Sequence, residues 1–287
     1  MSSMVGPNTT KINRLENELP EGLVVDGPWL EGQGVTRQLR NYYVHSGWLE
    51  QPARNVFARS RGPLKWQQIV ISLQTILQYS PLIVGGRTAL DLNGLSHYLS
   101  QQPVEIHLYG PKGPPAWVNK LGLEQRFIYH NDTRLFRSDP AHYGLTSLAW
   151  NVKSNSGRNL MKLQGGDTVS MAWGQWDWPL TLSTPERAIL EFLDELPNRA
   201  SFDNADKIVQ GLSNLSPRRM EKLLADCSSV KVKRLFFFFA DRHGHSWLKR
   251  IDRSRIDLGS GKRMIARGGR LDPVYQITVP KDLDANE

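Results

Sequence analysis

The order of elements predicted near the N-terminus constrains the fold of this chain more than any other feature of the sequence. Apolar spacing and turn residues predict two helices, a break at Gly34, a third helix, and then two short β-prone pieces that form a hairpin. These elements are predicted over 11–19, 29–31, 35–44, 48–50 and 56–58. Three helices followed directly by a hairpin are the order of a winged helix-turn-helix, a DNA-binding arrangement.

The third helix is predicted to separate an apolar face from a polar face. Val35, Leu39 and Tyr42 recur at helical spacing, so we expect them to pack inward. Arginine can pair with guanine and asparagine with adenine in the major groove, and both residue types lie outside that stripe. The helix and the hairpin supply the candidate DNA-binding residues, which are Thr36, Arg37, Arg40, Asn41, Tyr43, His45, Arg54 and Arg59.

Within this set, Tyr43 and His45 are expected to contact phosphates. Arg54 is placed at the wing tip, with Arg59 and Arg61 behind it. The alternative is a three-helix scaffold that binds no DNA or pairs with protein. An arginine-tipped hairpin directly after the last helix favours the DNA-binding interpretation.

The rest of the chain predicts an α+β protein. It has a larger mixed α/β C-terminal domain that ends in a helical section, and we place the domains at 11–98 and 99–287. The middle section contains predicted strands, among them 104–109, 127–129 and 160–163, and a polar linker at 151–158. Ser183-Thr184-Pro185-Glu186 is typical of a helix start, and helices are predicted over 66–79 and 230–241.

The charge is distributed unevenly along the 287 residues, which have a net charge of +8. Residues 215–270 contain 15 Lys and Arg against five Asp and Glu, a local net of +10, whereas residues 11–65 have a net of only +2. Such an excess leaves two interpretations open, which are a solvated surface and a surface for an acidic partner or a phosphate backbone. The candidate basic patch consists of Arg218, Arg219, Lys231, Lys233, Arg234, Lys262, Arg263 and Arg270.

No catalytic, metal or cofactor site is expected from the residue patterns. Gly259-Ser260-Gly261-Lys262 lacks the first glycine of a phosphate loop, and Arg263 stands where Ser or Thr would hold magnesium. Asp241, His243 and His245 are interpreted as hydrogen-bonding loop residues, and the single Cys227 as a buried structural thiol. Because no catalytic pattern is found, we expect a protein that is not an enzyme. No apolar run is long enough for a membrane helix, so we expect it to be cytoplasmic and without a membrane partner.

Five segments, in order along the chain, resemble the AbiEi-type antitoxins of type IV toxin–antitoxin and phage-abortive systems. The segments are Tyr43–Leu49 (YVHSGWL), Val84–Leu90 (VGGRTAL), Ser183–Glu191 (STPERAILE), Val230–Phe236 (VKVKRLF) and Gly268–Pro273 (GGRLDP). The resemblance spans about Lys11 to Pro280. At the wing the family pattern is Arg-Gly-Val-Tyr, whereas this chain has Arg54-Asn55-Val56-Phe57. Asparagine tolerates the left-handed turn, but the tyrosine hydroxyl is lost.

The resemblance implies a transcriptional repressor that binds inverted repeats in its own promoter through the winged helix. It also implies that the C-terminal domain neutralises a cognate nucleotidyltransferase-like toxin, without requiring a stable complex. Two alternatives remain open at the level of sequence. One is an enzyme that processes nucleic acids or nucleotides with its C-terminal domain, and the other is a toxin-binding protein without specific DNA readout.

Overall fold

The computed structural model describes residues 7–59, 62–79, 81–95, 103–138 and 166–283. The first part is a winged helix, as predicted. Its elements are α1 (Pro7–Glu18), β1 (Val24–Asp26), α2 (Gly27–Gly32), α3 (Arg37–His45), β2 (Glu50–Ala53) and β3 (Val56–Ala58). The strands form an antiparallel sheet in the order β1-β3-β2, so β3 pairs with both neighbours.

A five-stranded mixed sheet is the centre of the larger part. In chain order, the five strands of this sheet and the two helices that lie before and between them are α4 (Trp66–Gln74), β4 (Ile83–Val84), α5 (Gly86–Leu92), β5 (Glu105–Gly110), β6 (Arg126–Asn131), β7 (Thr168–Trp173) and β8 (Trp178–Ser183). The strand order is β6-β5-β4-β8-β7, with β5–β6 and β4–β8 parallel and the other pairs antiparallel. The predicted strand at 160–163 and the predicted linker at 151–158 lie outside the described residues.

After β8 come four α-helices and a small hairpin, namely α6 (Pro185–Asp194), α7 (Phe202–Gly211), α8 (Pro217–Asp226), α9 (Val230–His243), β9 (Arg270–Leu271) and β10 (Thr278–Val279). Two short 3₁₀ helices, Ser246–Arg250 and Arg253–Arg255, lie between α9 and β9. The helix predicted over 230–241 is confirmed as α9, and its central residues 235–240 are buried against α6 and α7. The α+β class expected from the sequence is therefore confirmed. None of the helices in the described ranges is long and apolar enough to span a bilayer.

The predicted helix at 66–79 is shorter than expected and is not amphipathic. It ends at Gln74, and every residue from Ile69 to Gln74 is buried, because α4 packs between the wing sheet and the large sheet. Its two buried polar residues link those sheets. Ser72 accepts a hydrogen bond from the Val24 backbone amide, while the Gln74 side chain donates to the carbonyl of Leu82 and both donates to and accepts from the backbone of Thr181.

Candidate nucleic-acid interface

Helix α3 begins at a capped turn and exposes one face to solvent. The Thr36 hydroxyl accepts a hydrogen bond from the Leu39 amide at 3.3 Å, which satisfies one of the free amides of the first turn. The chain leaves the helix through Gly47, which has a φ of +72° that glycine adopts without strain. Thr36 itself is exposed at the start of the helix, so its side chain serves as a cap beside the candidate interface.

The rotation of α3 about its axis differs from the prediction. Tyr42, expected in the apolar stripe, is 60% exposed, whereas Arg40 and Tyr43, expected on the DNA-binding face, are buried. The inward residues are Leu39, Arg40, Tyr43 and Val44, which recur at spacings of three and four. Hydropathy misplaced this stripe because an arginine occupies one of its positions.

Arg40 holds the winged helix together. Its guanidinium donates to the Gly27 carbonyl and to the Glu31 carboxylate, both at 2.8 Å, and lies 5.8 Å from the centre of the Phe57 ring. These contacts tie α3 to α2 and to the wing. The prediction that Arg40 reads bases is therefore corrected, because the side chain is only 5% exposed and both terminal nitrogens of the guanidinium are hydrogen-bonded within the protein.

Tyr43 is also a core residue. Its ring is fully buried and packs at 5.1 Å against Trp48, just beyond the helix. Burial raises the pKa of the Tyr43 hydroxyl, which has no hydrogen-bond partner among the described residues. The predicted phosphate contact from Tyr43 is wrong in this structure, since the hydroxyl does not reach the surface.

The exposed face of α3 consists of polar and aromatic side chains. Its members, which we call the recognition face, are Arg37, Gln38, Asn41, Tyr42 and His45. His45 Nδ1 lies 2.8 Å from the Asn41 carbonyl and donates to it, so a phosphate contact from Nε2 requires the doubly protonated ring. Gln38 and Tyr42 were missed from the sequence. Gln38 and Tyr42 are four positions apart, as are Asn41 and His45, and this shared helical spacing was the available signal that all four lie on one face.

The wing keeps its turn geometry with asparagine in place of glycine. Asn55 has a φ of +61°, the left-handed region that asparagine tolerates, and its carbonyl accepts a hydrogen bond from Gly27 at 3.0 Å. The Asn55 side chain packs against Gly27 so closely that a Cβ at position 27 would overlap it. Arg54 is exposed at the wing tip, as expected.

A cleft separates the recognition face from the wing. It has a volume of about 480 Å³, and its lining includes Arg37, Arg40, Asn41 and Arg54, together with Glu31. Four of the predicted DNA-binding residues therefore line one concave surface, and Arg40 is the buried one among them. Glu31 is the acid in this lining, and its charge is paired with Arg40.

Arg59 does not belong to this surface. Its guanidinium donates to the carbonyls of Glu16 and Leu19 at 3.2 and 3.1 Å and lies 5.1 Å from the Trp48 ring. It satisfies carbonyls at the C-terminal end of α1 and fastens that helix to the wing. The expected DNA contact of Arg59 is corrected accordingly, and Arg61 lies outside the described residues.

Much of the C-terminal basic block is bound within the protein. At least seven of its 15 basic residues have hydrogen-bonded or ion-paired partners, namely Arg219, Lys222, Lys231, Arg234, Arg242, Arg253 and Arg255. Arg234 is only 3% exposed and donates to the carbonyls of Leu258, Gly259 and Gly261 at 2.7–3.0 Å.

The predicted basic patch is therefore not one surface. Lys233 is buried, Lys231 donates to the carbonyls of Asp194 and Leu196, and Arg219 pairs with Glu186 at 2.9 Å. Arg270 is half-buried and interacts within the protein. Of the predicted set, the exposed residues with no side-chain partner in the described ranges are Arg218, Lys262 and Arg263.

A second cleft contains basic residues that do face solvent. It has a volume of about 760 Å³, and Arg218, Lys222, Arg250 and Arg255 line it together with Glu221. Lys222 and Arg255 interact with Asp167 and Glu221 at 3.8 and 3.1 Å, whereas Arg218 and Arg250 have no side-chain partner in the described part of the chain. We call this surface the basic cleft.

A buried ionic network lies behind the Gly85-Gly86 turn. Arg187 is fully buried and donates to Asp132 and Glu191 at 2.8 and 2.7 Å. Glu191 in turn accepts from the Gly86 amide and the Ser183 hydroxyl, both at 2.8 Å. Burial raises the pKa of Glu191, and its hydrogen bonds and charge pairing oppose that rise.

The paired glycines are explained by that network. A Cβ at Gly85 would overlap the side chains of Glu191 and Tyr109, and Gly86 has a φ of +50°. The Gly86 amide donates to the Glu191 carboxylate, so the anion at this turn comes from within the chain.

Other candidates have partners inside the protein. His243 is 2.8 Å from Asp206, His245 is 2.7 Å from the Val209 carbonyl, and Asp241 bonds to Arg253 and Tyr275. Burial raises the pKa of the Cys227 thiol to about 11. On the β7–β8 hairpin, Trp178 is buried, whereas Trp176 is 52% exposed at the tip.

Two family models match the chain, one over each of its two parts. A family model described as "Transcriptional regulator, AbiEi antitoxin, Type IV TA system" matches residues 104–280. A second, described as "Transcriptional regulator, AbiEi antitoxin N-terminal domain", matches residues 8–101. No curated protein matches the chain.

One solved structure shares the overall arrangement. The crystal structure of the RV2827C protein from Mycobacterium tuberculosis aligns with 96% of this chain and 92% of that chain, at a TM-score of 0.51 and 12% sequence identity. At that identity the likeness concerns the fold alone.

Proposed function

The chain belongs to the AbiEi antitoxin family of transcriptional regulators of type IV toxin–antitoxin systems, and from this premise we propose that it binds promoter DNA through α3 and the wing and represses its own operon. The observation that carries the proposal is the recognition face. Arg37, Gln38 and Asn41 project from the first half of α3 and have no side-chain partners in the described ranges. Their donors and acceptors are therefore available to base edges.

The chemistry of this face suits the major groove. An arginine can donate two parallel hydrogen bonds to guanine, and an asparagine or a glutamine can pair with adenine. N-terminal residues of a recognition helix are those that reach base edges, which is where Arg37, Gln38 and Asn41 lie. Tyr42 and His45, further along the helix, are placed to contact the phosphate backbone.

The wing supports the same placement. Arg54 stands at the tip of a rigid turn and lines the cleft with Arg37 and Asn41. An arginine in this position suits the narrow minor groove or the flanking backbone beside the groove that α3 occupies. We propose an operator of inverted repeats in which two copies of the chain contact half-sites about one helical turn apart, roughly 34 Å.

A gel-shift titration with the DNA upstream of the chain's own gene tests the proposal. We expect Arg37→Ala and Asn41→Ala each to weaken binding by about 1–3 kcal/mol, or about five- to 150-fold, because each removes contacts to a base. The affinity for unrelated DNA of the same length should change much less. Unchanged operator affinity in the double variant would overturn the assignment of the recognition face.

Arg126→Ala is the matched control. Arg126 is exposed on β6, outside the winged helix, and removing it changes the net charge by the same amount as Arg37→Ala. We expect its operator affinity to equal that of the unaltered protein. An equal loss in both variants would show that overall charge, and not the recognition face, determines binding.

The antitoxin activity is proposed to reside in the part of the chain that follows the winged helix. Its cognate partner is a nucleotidyltransferase-like toxin, met in the cytoplasm and not at a membrane. The basic cleft supports contact with an acidic surface of the toxin or with its nucleic-acid substrate, since Arg218 and Arg250 are exposed there. No catalytic step is assigned to the chain.

Rescue of growth during toxin expression tests this second part. We expect Arg218→Glu combined with Arg250→Glu to abolish rescue while operator binding persists, because only the basic cleft is reversed. Charge reversal at Lys231, Lys233 or Arg234 is unsuitable, since those side chains are needed inside the fold. Lys120→Glu with Arg126→Glu is the charge-matched control, and rescue that survives in the cleft variant would contradict the proposal.

A further inference from the structure

Two adjacent parallel strands and the end of a helix bring two imidazoles and a carboxylate together. His107 is on β5 and His130 on β6, whose register pairs His130 with Tyr109. His107, Tyr109 and His130 therefore lie on the same face of the sheet. Glu195, the C-cap residue that directly follows α6, completes the group from across that face.

The ligand atoms of the three side chains converge. His107 Nδ1 is 3.0 Å from His130 Nε2 and 3.1 Å from Glu195 Oε1, and His130 Nε2 is 3.8 Å from the same oxygen. His107 and Glu195 are buried, while His130 is half-buried, so solvent reaches the group on one side. The His130 ring is held in a stack, 4.5 Å from the Tyr109 ring and 5.2 Å from the His107 ring.

These separations match the coordination sphere of a divalent transition metal. Ligand atoms about 2.0–2.1 Å from a tetrahedral zinc ion lie roughly 3.3–3.4 Å from one another. The three distances lie on both sides of that value, so small side-chain rotations are sufficient to place an ion among them. Two histidines and one glutamate are also a ligand set that zinc takes in proteins, with the fourth position left to water.

Hydrogen bonding within the group leaves the same atoms poorly matched. A single proton between His107 Nδ1 and His130 Nε2 cannot satisfy every contact. If His107 Nδ1 donates to Glu195 Oε1, His130 Nε2 can only share that proton, and if His130 Nε2 donates to His107 Nδ1, the hydrogen bond from His107 to Glu195 is lost. Glu195 Oε1 also accepts from the Tyr109 hydroxyl at 3.0 Å. A cation between the three atoms takes one lone pair from each of them.

From this geometry we propose that His107 Nδ1, His130 Nε2 and Glu195 bind one zinc ion. Tyr109 orients the glutamate through its hydroxyl, and Glu105, whose carboxylate is 3.9 Å from His107 Nε2, faces the second nitrogen of that ligand. The ion joins the edge of the large sheet to the end of α6. It is a site in addition to the DNA-binding surface, which lies on other elements.

Zinc titration of the full chain tests the site. The protein is stripped with a chelator and titrated with zinc alone, in competition with a chromogenic zinc indicator, and bound metal is counted by mass spectrometry. We expect one zinc ion per chain. His107→Gln and His130→Gln should each weaken binding at least about 100-fold, and Tyr109→Phe about tenfold, as is usual for a residue that orients a ligand.

His243→Gln is the matched control, because it removes a histidine that is paired with Asp206 elsewhere in the fold. It should leave zinc affinity unchanged. If a histidine variant fails to fold by circular dichroism, Glu195→Gln, which preserves side-chain shape, supplies the same comparison. Side-chain ¹⁵N spectra should show zinc-dependent shifts at His107 Nδ1 and His130 Nε2. Absence of bound zinc, or shifts at other histidines only, would overturn the proposal.

Discussion

The winged helix and the C-terminal basic block differ in how much of their basic charge is bound to partners inside the fold. Residues 11–65 have a net charge of only +2, yet Arg37 and Arg54 are exposed and share one cleft. Residues 215–270 have a net charge of +10, yet Arg234 and Lys233 are buried and at least seven basic side chains are bound to partners. Net charge therefore does not locate a binding surface. What matters is whether each cation has a partner inside the fold.

The same contrast exists within one helix. Arg37 and Arg40 are three residues apart on α3, and both were predicted to contact DNA. Arg37 faces solvent, whereas Arg40 donates to Gly27 and Glu31 and lies over Phe57. Substitutions that separate folding from binding test this comparison most directly.

The largest effect is expected for Arg187→Leu. It would leave Asp132 and Glu191 buried without their counter-charge, and breaking such a pair costs about 3–5 kcal/mol. Urea denaturation measures the loss. Lys207→Ala is the control, since it removes an exposed ion pair with Asp203 and should change stability by about 0.3–0.5 kcal/mol. Similar effects in both variants would show that the buried network does not stabilise the fold.

Arg234→Ala should be the next most harmful change. It removes charge-assisted hydrogen bonds to three carbonyls of the segment 258–261, and we expect a loss of about 2–4 kcal/mol. Arg263→Ala, an exposed neighbour in the same block, should stay within about 0.5 kcal/mol. Thermal and urea denaturation of both proteins provide the measurement. Equal stability would mean that the charges of the block are interchangeable.

Arg40→Ala sharpens the comparison within α3. The change removes hydrogen bonds to Gly27 and Glu31 and should lower stability by about 1–3 kcal/mol. Well below the melting temperature, its operator affinity should match that of the unaltered protein, whereas Arg37→Ala should show the reverse pattern. A large loss of affinity in folded Arg40→Ala protein would return this residue to the DNA-binding set.

The smallest effect concerns acid stability. Asp241 is partly buried, which by itself raises its pKa, but hydrogen bonds from Arg253 and Tyr275 outweigh burial and hold the pKa below its usual value of 3.8. A carboxyl group with a lowered pKa adds stability above pH 3.8, and that contribution is lost as the pH falls through the folded-state pKa. Asp241→Asn should therefore be less stable than the unaltered protein at neutral pH, and the difference should shrink below pH 3.8. Denaturation curves across this range check the sign.

Local pattern was sufficient for most individual elements. The helices at 11–19 and 230–241, the hairpin of the wing and the helix start at Ser183–Glu186 all depend on short-range spacing and capping, and the structure contains each of them. The rotation of α3 was not predictable in the same way. A hydropathy stripe assumes that apolar residues face inward, and here Arg40 occupies a core position while Tyr42 faces solvent.

The division of the chain into domains at 11–98 and 99–287 remains a prediction. The large sheet includes β4, at Ile83–Val84, between β5 and β8, so that sheet draws a central strand from before residue 98. A two-residue strand carries almost no periodicity of its own. Its pairing depends on β5 and β8, which lie far along the chain, and no local signal indicates it.

The amino-acid sequence alone determined the winged helix, the α+β class and the family resemblance, because these depend on the local order of helices, turns and short segments. Tertiary structure decided which charged residues are available for binding. It joined Arg234 to three carbonyls, Arg187 to two carboxylates, and His107 to His130 and Glu195. Arg187 and Glu191 are one turn apart on α6, but the other partners lie between 23 and 88 positions apart, and only the folded chain brings those groups within hydrogen-bonding distance.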